Sequence, residues 1–262
     1  LEDSISVTEK DAARKLVKYT LRTLDFGSVE RVVRINGRDT QFFEKDLEEI
    51  IPACPDAVRI PKIDSPDDIL AADSIISRLE KEHGIEQGSV RIHAMLETAK
   101  AIVSAPAIAA SSPRILGLTI GGQDLAADLG IKVTREGLEM LYAKSAVILA
   151  AKANALLAFD TVYTDINDPE GLREQAAMSV SLGFSGKAAI HPSQIAIIHE
   201  AFTPEEKEVR KAERIVRGAR EAEERHLGVV AVDGRMVDAP VVAQAMRTIE
   251  LAKLAGLEVD VE

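Results

Sequence analysis

Short apolar runs alternate with longer amphipathic stretches along most of the chain. The apolar runs have the length and continuous hydrophobicity of strands that are covered on both faces, and they lie at residues 31–36, 57–63, 90–96, 115–120, 158–163 and 184–190. The stretches between them have helical periodicity, with start signals such as Ser65-Pro66 and Asp168-Pro169. The pattern predicts helices at residues 9–24, 41–52, 66–83, 98–111, 134–153, 169–182, 193–200, 204–227 and 239–255.

This alternation of strands and helices is typical of an α/β protein with a parallel sheet. Residues 1–3 have the pattern of the end of a further strand, and one more strand before them would give eight. We therefore predict a (β/α)₈ TIM barrel over residues 1–203, with its first strand missing from this chain. A C-terminal helical extension with a turn at residues 230–237 follows over 204–262. A doubly wound sheet is the alternative, although no GxGxxG or P-loop pattern follows a strand.

Composition and charge narrow the class of protein. The 262 residues are 46% hydrophobic but only 3% aromatic, so aliphatic side chains have to fill the core. The net charge of −11 argues against a nucleic-acid partner, and the single cysteine excludes a disulfide framework. No apolar run reaches 18 residues and no signal peptide is visible, so we expect no membrane segment and a cytoplasmic protein.

Ionisable residues follow most of the predicted strands at the point where each strand ends. The carboxyl ends of barrel strands converge on one opening, where catalytic residues lie. The residues at these positions are Glu2, Asp3, Arg34, Lys62, Glu97, Asp124 and Asp165, with Lys187 inside the last strand. Several carboxylates facing one another would raise each other's pKa values unless a cation lay between them.

Glu97 and Asp124 stand out because they follow adjacent predicted strands, and because two glycines before Asp124 permit a close approach of the backbone. Two carboxylates combined with water and substrate oxygens suit Mg²⁺, which keeps several waters. Arg34 offers a planar fork for a substrate carboxylate or a developing enolate. A single acidic residue at a strand end is more often a helix cap or a salt-bridge partner. The set as a whole indicates a Mg²⁺ centre for an oxygen-rich acid.

Seven sequence blocks resemble one enzyme family in their order and spacing. The blocks are LEDS with the following EKDAAR, VRING, AMLET, IGGQDLAADLG, AFDTVYTD, GFSGKAAIHPSQI and GVVAVDGRMVDAPVV. From residue 1 to about 254 the chain is similar to the citrate lyase beta subunits. More broadly, it resembles the citryl-, malyl- and citramalyl-CoA lyase superfamily of HpcH/HpaI-like aldolases. The resemblance implies a (β/α)₈ barrel with a C-terminal helical lid, assembled as a homotrimer or hexamer.

The resemblance also implies roles for residues at the strand ends. Mg²⁺ would be held by Glu97 of the AMLET block and Asp124 of the GGQD block. Arg34 of the VRING block would contact the substrate. The two acids of the LED block, Glu2 and Asp3, would form hydrogen bonds with the waters of the metal.

Three further residues are implied by the resemblance. Asp238 of the MVD block would be an acid/base delivered by the C-terminal segment, frequently into a neighbour's site. Lys187 and His191 of the GKAAIHP block would lie near the entrance for the thioester carrier. From the residues alone, Asp238 is interpreted only as a helix cap, and for His191 a ligand contact and a turn-forming role remain equal alternatives.

The implied reaction is a Mg²⁺-dependent retro-Claisen cleavage of citryl thioester to oxaloacetate and acetyl thioester. The acyl group would be carried by an acyl-carrier protein or by CoA, and the alpha and acyl-carrier subunits of a citrate lyase complex would be partners. The first alternative is a standalone malyl-CoA or citramalyl-CoA lyase. A catalytically silent barrel that serves as a binding or scaffold subunit is the second, and an aldolase for free hydroxy-keto acids is the third.

Overall fold

A computed structural model of the chain describes residues 1–224, 230–232 and 234–260. The chain divides into two compact units, Leu1–Pro192 and Ser193–Glu262. The helix predicted at residues 193–200 therefore groups with the second unit, whereas the sequence-based division was placed at residue 203. No helix in the described ranges is both long and apolar enough to cross a lipid bilayer.

The first unit contains a sheet of six parallel strands in which each strand pairs with the next one along the chain. The strands are β1 (Val32–Arg34), β2 (Ala57–Ile60), β3 (Arg91–Leu96), β4 (Ile115–Ile120), β5 (Leu157–Asp160) and β6 (Gly186–Lys187). A doubly wound sheet reverses its strand order at a switch point, and this sheet does not. The α/β class and the six predicted strands are confirmed.

The closed eight-stranded barrel is not confirmed. Among the described residues, β1 and β6 are the edges of the sheet, and residues 1–3 form no strand. The backbone amino group of Leu1 donates to the carbonyl oxygen of Arg34 at 2.9 Å, so the chain passes beside the end of β1 there. Arg34 at the end of β1 and Ala188 after β6 line the same cavity, which shows that the sheet curls.

Seven α-helices belong to the first unit. They are α1 (Lys10–Thr23), α2 (Phe43–Ile50), α3 (Pro66–His83), α4 (Ala99–Ala109), α5 (Gly122–Leu129), α6 (Leu141–Ala153) and α7 (Pro169–Leu182). The two start signals named in the sequence, Ser65-Pro66 and Asp168-Pro169, lie at helix starts as predicted. Ser65 forms a capping box with Asp68 at the start of α3, and the Asp168 side chain accepts from the backbone N–H of Gly171 at 2.9 Å in α7. Helix α5 was not predicted.

The two faces of the sheet differ in chemistry. Ile35, Ile60 and Leu118 are fully buried and belong to the aliphatic core. Paired residues of neighbouring parallel strands share a face, and the register pairs Arg34 with Arg59, and Arg59 with His93. Polar side chains therefore occupy the face opposite to the aliphatic one, and this polar face leads to the candidate site.

The described residues of the second unit form three α-helices and a hairpin. The elements are α8 (Ile195–Phe202), α9 (Glu206–Glu224), β7 (Val230–Val232), β8 (Arg235–Val237) and α10 (Ala239–Leu254). A small core joins Ile215 of α9, Val237 of β8 and Ile249 of α10. The antiparallel pairing of β7 with β8 replaces the simple turn that the sequence predicted at residues 230–237. Asp233 of that turn and the predicted helix end at 225–227 lie outside the described residues.

Candidate active site

A cavity of about 400 Å³ opens where the strands of the first unit end. Its wall is formed by residues from all six strands or the segments directly after them. They are Arg34, Arg59, Met95, Glu97, Thr119, Ile120, Gly121, Gly122, Gln123, Asp124, Thr161, Val162, Ala188, Ala189 and Ile190. The structure therefore brings together three of the predicted site residues, Arg34, Glu97 and Asp124.

Glu97 is the buried carboxylate of this cavity. It follows β3 directly, is 5% exposed, and its Oε2 accepts a hydrogen bond from the backbone N–H of Lys62 at 2.8 Å. Gly121 packs so closely that a Cβ there would lie 2.5 Å from Cγ of Glu97. Burial raises the pKa of Glu97 to about 7; the Lys62 N–H opposes the rise, and the charges of Asp124 and Glu2 add to it. A cation at this position would relieve that unfavourable charge.

Asp124 lies in the first turn of α5 and is exposed to the opening of the cavity. The helix begins at Gly122, and its N-cap, Gly121, has no side chain that could accept a hydrogen bond. The cap is supplied from another strand end, because Oγ1 of Thr161 accepts from the backbone N–H of Gly122 at 3.0 Å. This contact fixes the start of α5 and hence the place of Asp124 in the wall of the cavity that Glu97 also lines.

The donor set fits Mg²⁺ with open coordination positions. Glu97 and Asp124 both line the cavity and interact through their charges. No cluster of three or more His, Cys, Asp or Glu side chains with metal-binding geometry occurs in the described part of the chain. Mg²⁺ is commonly bound by one or two carboxylates, with waters and substrate oxygens in the other positions. The two carboxylates match that requirement, and the missing side chain of Gly121 leaves the space that Glu97 occupies.

Arg34 and Glu2 form an ion pair at the edge of the cavity. The Nη2 atom of Arg34 lies 3.0 Å from Oε2 of Glu2, and Glu2 is buried whereas Arg34 is half exposed. The Glu2 backbone is held in turn, because the ammonium of Lys10 donates to its carbonyl oxygen at 3.0 Å. Asp3, the other acid of this segment, is exposed. Glu2 is therefore placed to orient the guanidinium of Arg34.

The structure places Lys187 away from the cavity wall. Its ammonium is fully buried and donates to Oδ2 of Asp160 at 2.9 Å and to the carbonyl oxygen of Thr161 at 2.8 Å. Lys144 makes a second buried ion pair with Asp160 at 3.1 Å. Lys187 thus stabilises the backbone behind the site, and its amine is not presented to a substrate. His191 is exposed and follows the segment 188–190, which lines the cavity.

Asp238 belongs to the second compact unit, between β8 and α10. Its side chain caps α10 by accepting from the backbone N–H of Val241 at 3.3 Å. The interpretation as a helix cap, made from the residues alone, agrees with this contact. The acid/base role that the family resemblance implies for Asp238 stays a prediction.

Arg59 and Thr119 are cavity residues that the sequence analysis did not select. Arg59 was counted as part of a predicted strand, as was Thr119. The alternation of side chains along a strand could have identified both residues, because residues two positions apart share a face. Counting back from Glu97 on β3 and across the register to β2 and β4 would have placed both side chains on the polar face.

The chain is similar to known proteins over most of its length. The sequence profile of the family described as HpcH/HpaI aldolase/citrate lyase matches residues 1–192. A citrate lyase subunit beta from Haemophilus influenzae is 40% identical over 253 residues, covering 97% of this chain and 87% of that protein. An L-malyl-CoA/beta-methylmalyl-CoA lyase from Cereibacter sphaeroides is 32% identical over 274 aligned positions, covering 97% of this chain and 86% of that protein.

Solved structures from Mycobacterium tuberculosis have a similar fold. The protein CitE in complex with magnesium, acetoacetate and coenzyme A superposes with a TM-score of 0.75 at 31% identity, over 97% of this chain and 88% of that chain. A citrate lyase beta subunit complexed with oxaloacetate and magnesium gives a TM-score of 0.64 at 31% identity, over 78% of this chain and 86% of that chain. Magnesium and a keto acid are thus bound together in a relative of this fold.

Proposed function

Because the chain belongs to the HpcH/HpaI aldolase/citrate lyase family, we propose that it is a Mg²⁺-dependent carbon–carbon lyase that cleaves citryl thioester to oxaloacetate and acetyl thioester. The observation that carries the proposal is the cavity in which Glu97, Asp124 and Arg34 meet. Two carboxylates for a hard cation and one guanidinium for an anionic substrate are the groups that this cleavage needs.

Glu97 and Asp124 are the proposed magnesium ligands, and Glu2 and Asp3 are the proposed partners of its waters. Bound Mg²⁺ would act as a Lewis acid that lowers the pKa of the substrate hydroxyl and favours the emerging ketone. In the reaction a general base takes the proton of the hydroxyl, the oxygen forms the ketone as the carbon–carbon bond breaks, and the electron pair of that bond moves onto the acetyl thioester as an enolate. A proton then returns to the terminal carbon of that enolate.

Arg34 is proposed to stabilise the negative charge of the substrate and the enolate. Its ion pair with Glu2 at 3.0 Å orients the guanidinium, so the donor is in place before charge develops. Asp238 is the proposed acid that returns the proton to carbon, and in the condensation direction it would act as the base. His191 is proposed to lie at the carrier entrance, because it follows three residues of the cavity wall.

The proposed assembly rests on the family resemblance, and the proposed location rests on the sequence. We propose that the acyl group arrives on CoA or on an acyl-carrier protein, within a citrate lyase complex that contains alpha and acyl-carrier subunits. The same proposal includes a homotrimer or hexamer, a (β/α)₈ barrel fold over residues 1–203 with a C-terminal helical extension over 204–262, and a cytoplasmic location.

A side-by-side assay tests this function. Purified protein is given citryl-CoA, malyl-CoA and citramalyl-CoA, each with Mg²⁺ and with EDTA, and keto-acid release is followed. We expect metal-dependent cleavage of citryl-CoA, and we expect Asp124→Ala to abolish both turnover and calorimetric Mg²⁺ binding. Preference for malyl-CoA would support the second candidate, which the malyl-CoA lyase relative favours. Full activity of Asp124→Ala in excess Mg²⁺ would show that the metal assignment is wrong.

A further inference from the structure

Arg59 is a cavity arginine whose side chain has no carboxylate partner in the described part of the chain. It lies on β2 and lines the same cavity as Glu97, and its Nε atom is buried with no hydrogen-bond partner among the described residues. No described carboxylate forms an ion pair with it, although the charge of Glu30 attracts it. Other arginines of the first unit are paired with carboxylates, namely Arg14 with Asp46, Arg31 with Asp56, and Arg114 with Glu80.

Thr119 presents a second polar group without a partner in the same cavity. It lies on β4, is 2% exposed, and its Oγ1 atom has no hydrogen-bond partner among the described residues. Folded proteins rarely leave buried polar atoms unpaired, so each such atom calls for an explanation. Here a guanidinium and a hydroxyl, both hydrogen-bond donors, line one cavity. A carboxylate is the ligand that satisfies both.

The register places these two donors deeper in the cavity than the proposed metal ligand. Arg59 pairs with His93 and Thr119 pairs with Met95, and both partners precede Glu97 on β3. Burial and the nearby charge of Arg34 lower the pKa of Arg59, although an arginine keeps its proton in proteins. The cation is therefore partly desolvated and forms no ion pair with a described carboxylate.

We propose that Arg59 and Thr119 form a subsite for the second free carboxylate of a citryl thioester. This inference rests on the proposed function and specifies its substrate class. The central carbon of the citryl group carries a hydroxyl, a carboxylate and a carboxymethyl arm. The same position carries a hydrogen in malyl thioester and a methyl group in citramalyl thioester. Only the citryl arm can pair with the guanidinium, and the other two substrates would leave both donors unsatisfied.

The first test compares substrates in variants of the full chain. We expect Arg59→Met to lower the ratio of kcat/KM for citryl-CoA to that for citramalyl-CoA by about 10- to 100-fold, the range for a lost charge-assisted hydrogen bond. Thr119→Val should lower the same ratio by about fivefold. Arg31→Met is the matched control, because that arginine is engaged with Asp56 outside the cavity, and it should leave the ratio unchanged.

A second readout does not depend on turnover. With Mg²⁺ present, oxaloacetate should raise the thermal unfolding temperature of the wild type more than pyruvate does, since oxaloacetate carries the extra carboxylate. Arg59→Met and Arg59→Gln should remove this difference while keeping the response to pyruvate. Both variants should unfold in urea no earlier than the wild type, because each removes a buried charge that has no partner.

The outcomes separate this inference from the proposed function. If the wild type cleaves citryl-CoA but both Arg59 variants keep the substrate ratio and the oxaloacetate response, the subsite is refuted and the lyase stands. A wild type that prefers citramalyl-CoA also refutes the subsite. If no thioester is cleaved and neither keto acid stabilises the protein, the proposed function fails and the subsite fails with it.

Discussion

Replacement of Gly121 by alanine tests the metal site without changing any charge. Gly121 has a φ of −93°, which any residue adopts, so alanine causes no backbone strain. The added methyl group would instead lie 2.5 Å from Cγ and 2.8 Å from Cδ of Glu97. The substitution therefore acts on the position of a single carboxylate, and we expect it to weaken Mg²⁺ binding.

The size of the effect follows from the distances. Carbon atoms pack at about 3.5 Å or more, so Cγ of Glu97 has to move by roughly 1 Å, which breaks the hydrogen bond from Lys62 N–H to Oε2. Metal–ligand distances tolerate deviations of only about 0.2 Å. Loss of a group that positions a ligand typically costs 10- to 100-fold in metal affinity, which corresponds to about 1.4 to 2.8 kcal/mol.

Isothermal titration with Mg²⁺ at pH 8 measures this loss. At that pH Glu97 is largely ionised, since its pKa is about 7. Gly37→Ala is a matched control, because a methyl group there meets mainly the exposed carboxylate of Asp39, which can rotate away. If Gly121→Ala binds Mg²⁺ within twofold of the wild type and unfolds at the same temperature, Glu97 is not a metal ligand. An equal loss in Gly37→Ala would refute the specific role of Gly121.

Three further predictions concern the protonation of Glu97, the geometry of the cationic group at Arg34 and the buried ion pairs of Asp160. On the proposed assignment Mg²⁺ binds the ionised form of Glu97, whose pKa is about 7. Calorimetry should then give an affinity about tenfold weaker at pH 6 than at pH 8, and equal affinities would contradict the assignment. Arg34→Lys should lower kcat on citryl-CoA by about 100-fold, because a point charge does not replace the guanidinium fork, and activity within twofold would refute that role. Burial alone would raise the pKa of Asp160, but the ammonium groups of Lys187 and Lys144 hold that pKa below its ordinary value. These ion pairs therefore stabilise the folded protein above about pH 4, and the stabilisation is lost as the pH falls and Asp160 becomes protonated. Lys187→Met should lower the free energy of unfolding, measured in urea at pH 7, by about 3 kcal/mol, and by less at a pH where Asp160 is protonated. Unchanged stability with a raised KM would instead indicate that Lys187 contacts the substrate.

The strands and most helices were predictable because their signals are local. The boundaries of α3 and α7 are fixed by caps within the same few residues, so Ser65 and Asp168 predict them correctly. Helix α5 has no such signal, since its N-cap is a glycine and the accepting hydroxyl belongs to Thr161, far along the chain. A hydrogen bond between distant segments cannot be inferred from local sequence, and this is why α5 was not predicted.

The candidate site also contains some residues that local sequence could identify and others that it could not. Residues at or directly after strand ends, such as Arg34 and Glu97, could be selected because parallel strands end at one edge of a sheet. The buried ion pair of Lys187 could not be predicted from local sequence, because its partner Asp160 lies opposite it on the neighbouring strand. Arg59 was missed for a related reason: its lack of a partner is visible only once the whole cavity wall is assembled.

The size of the cavity bears on the two carriers proposed for the acyl group. A space of about 400 Å³ holds an acyl group, whereas an acyl-carrier protein has to remain outside it. On the proposed assignment, the hydroxyl and its carboxylate lie near Glu97, the second carboxylate reaches Arg59, and the thioester arm points outward. All groups that distinguish citryl from citramalyl are then enclosed, and none of them belongs to the carrier. Selectivity between the two acyl groups should therefore be the same on CoA and on the carrier protein, and a ratio of kcat/KM that changes with the carrier would contradict this orientation.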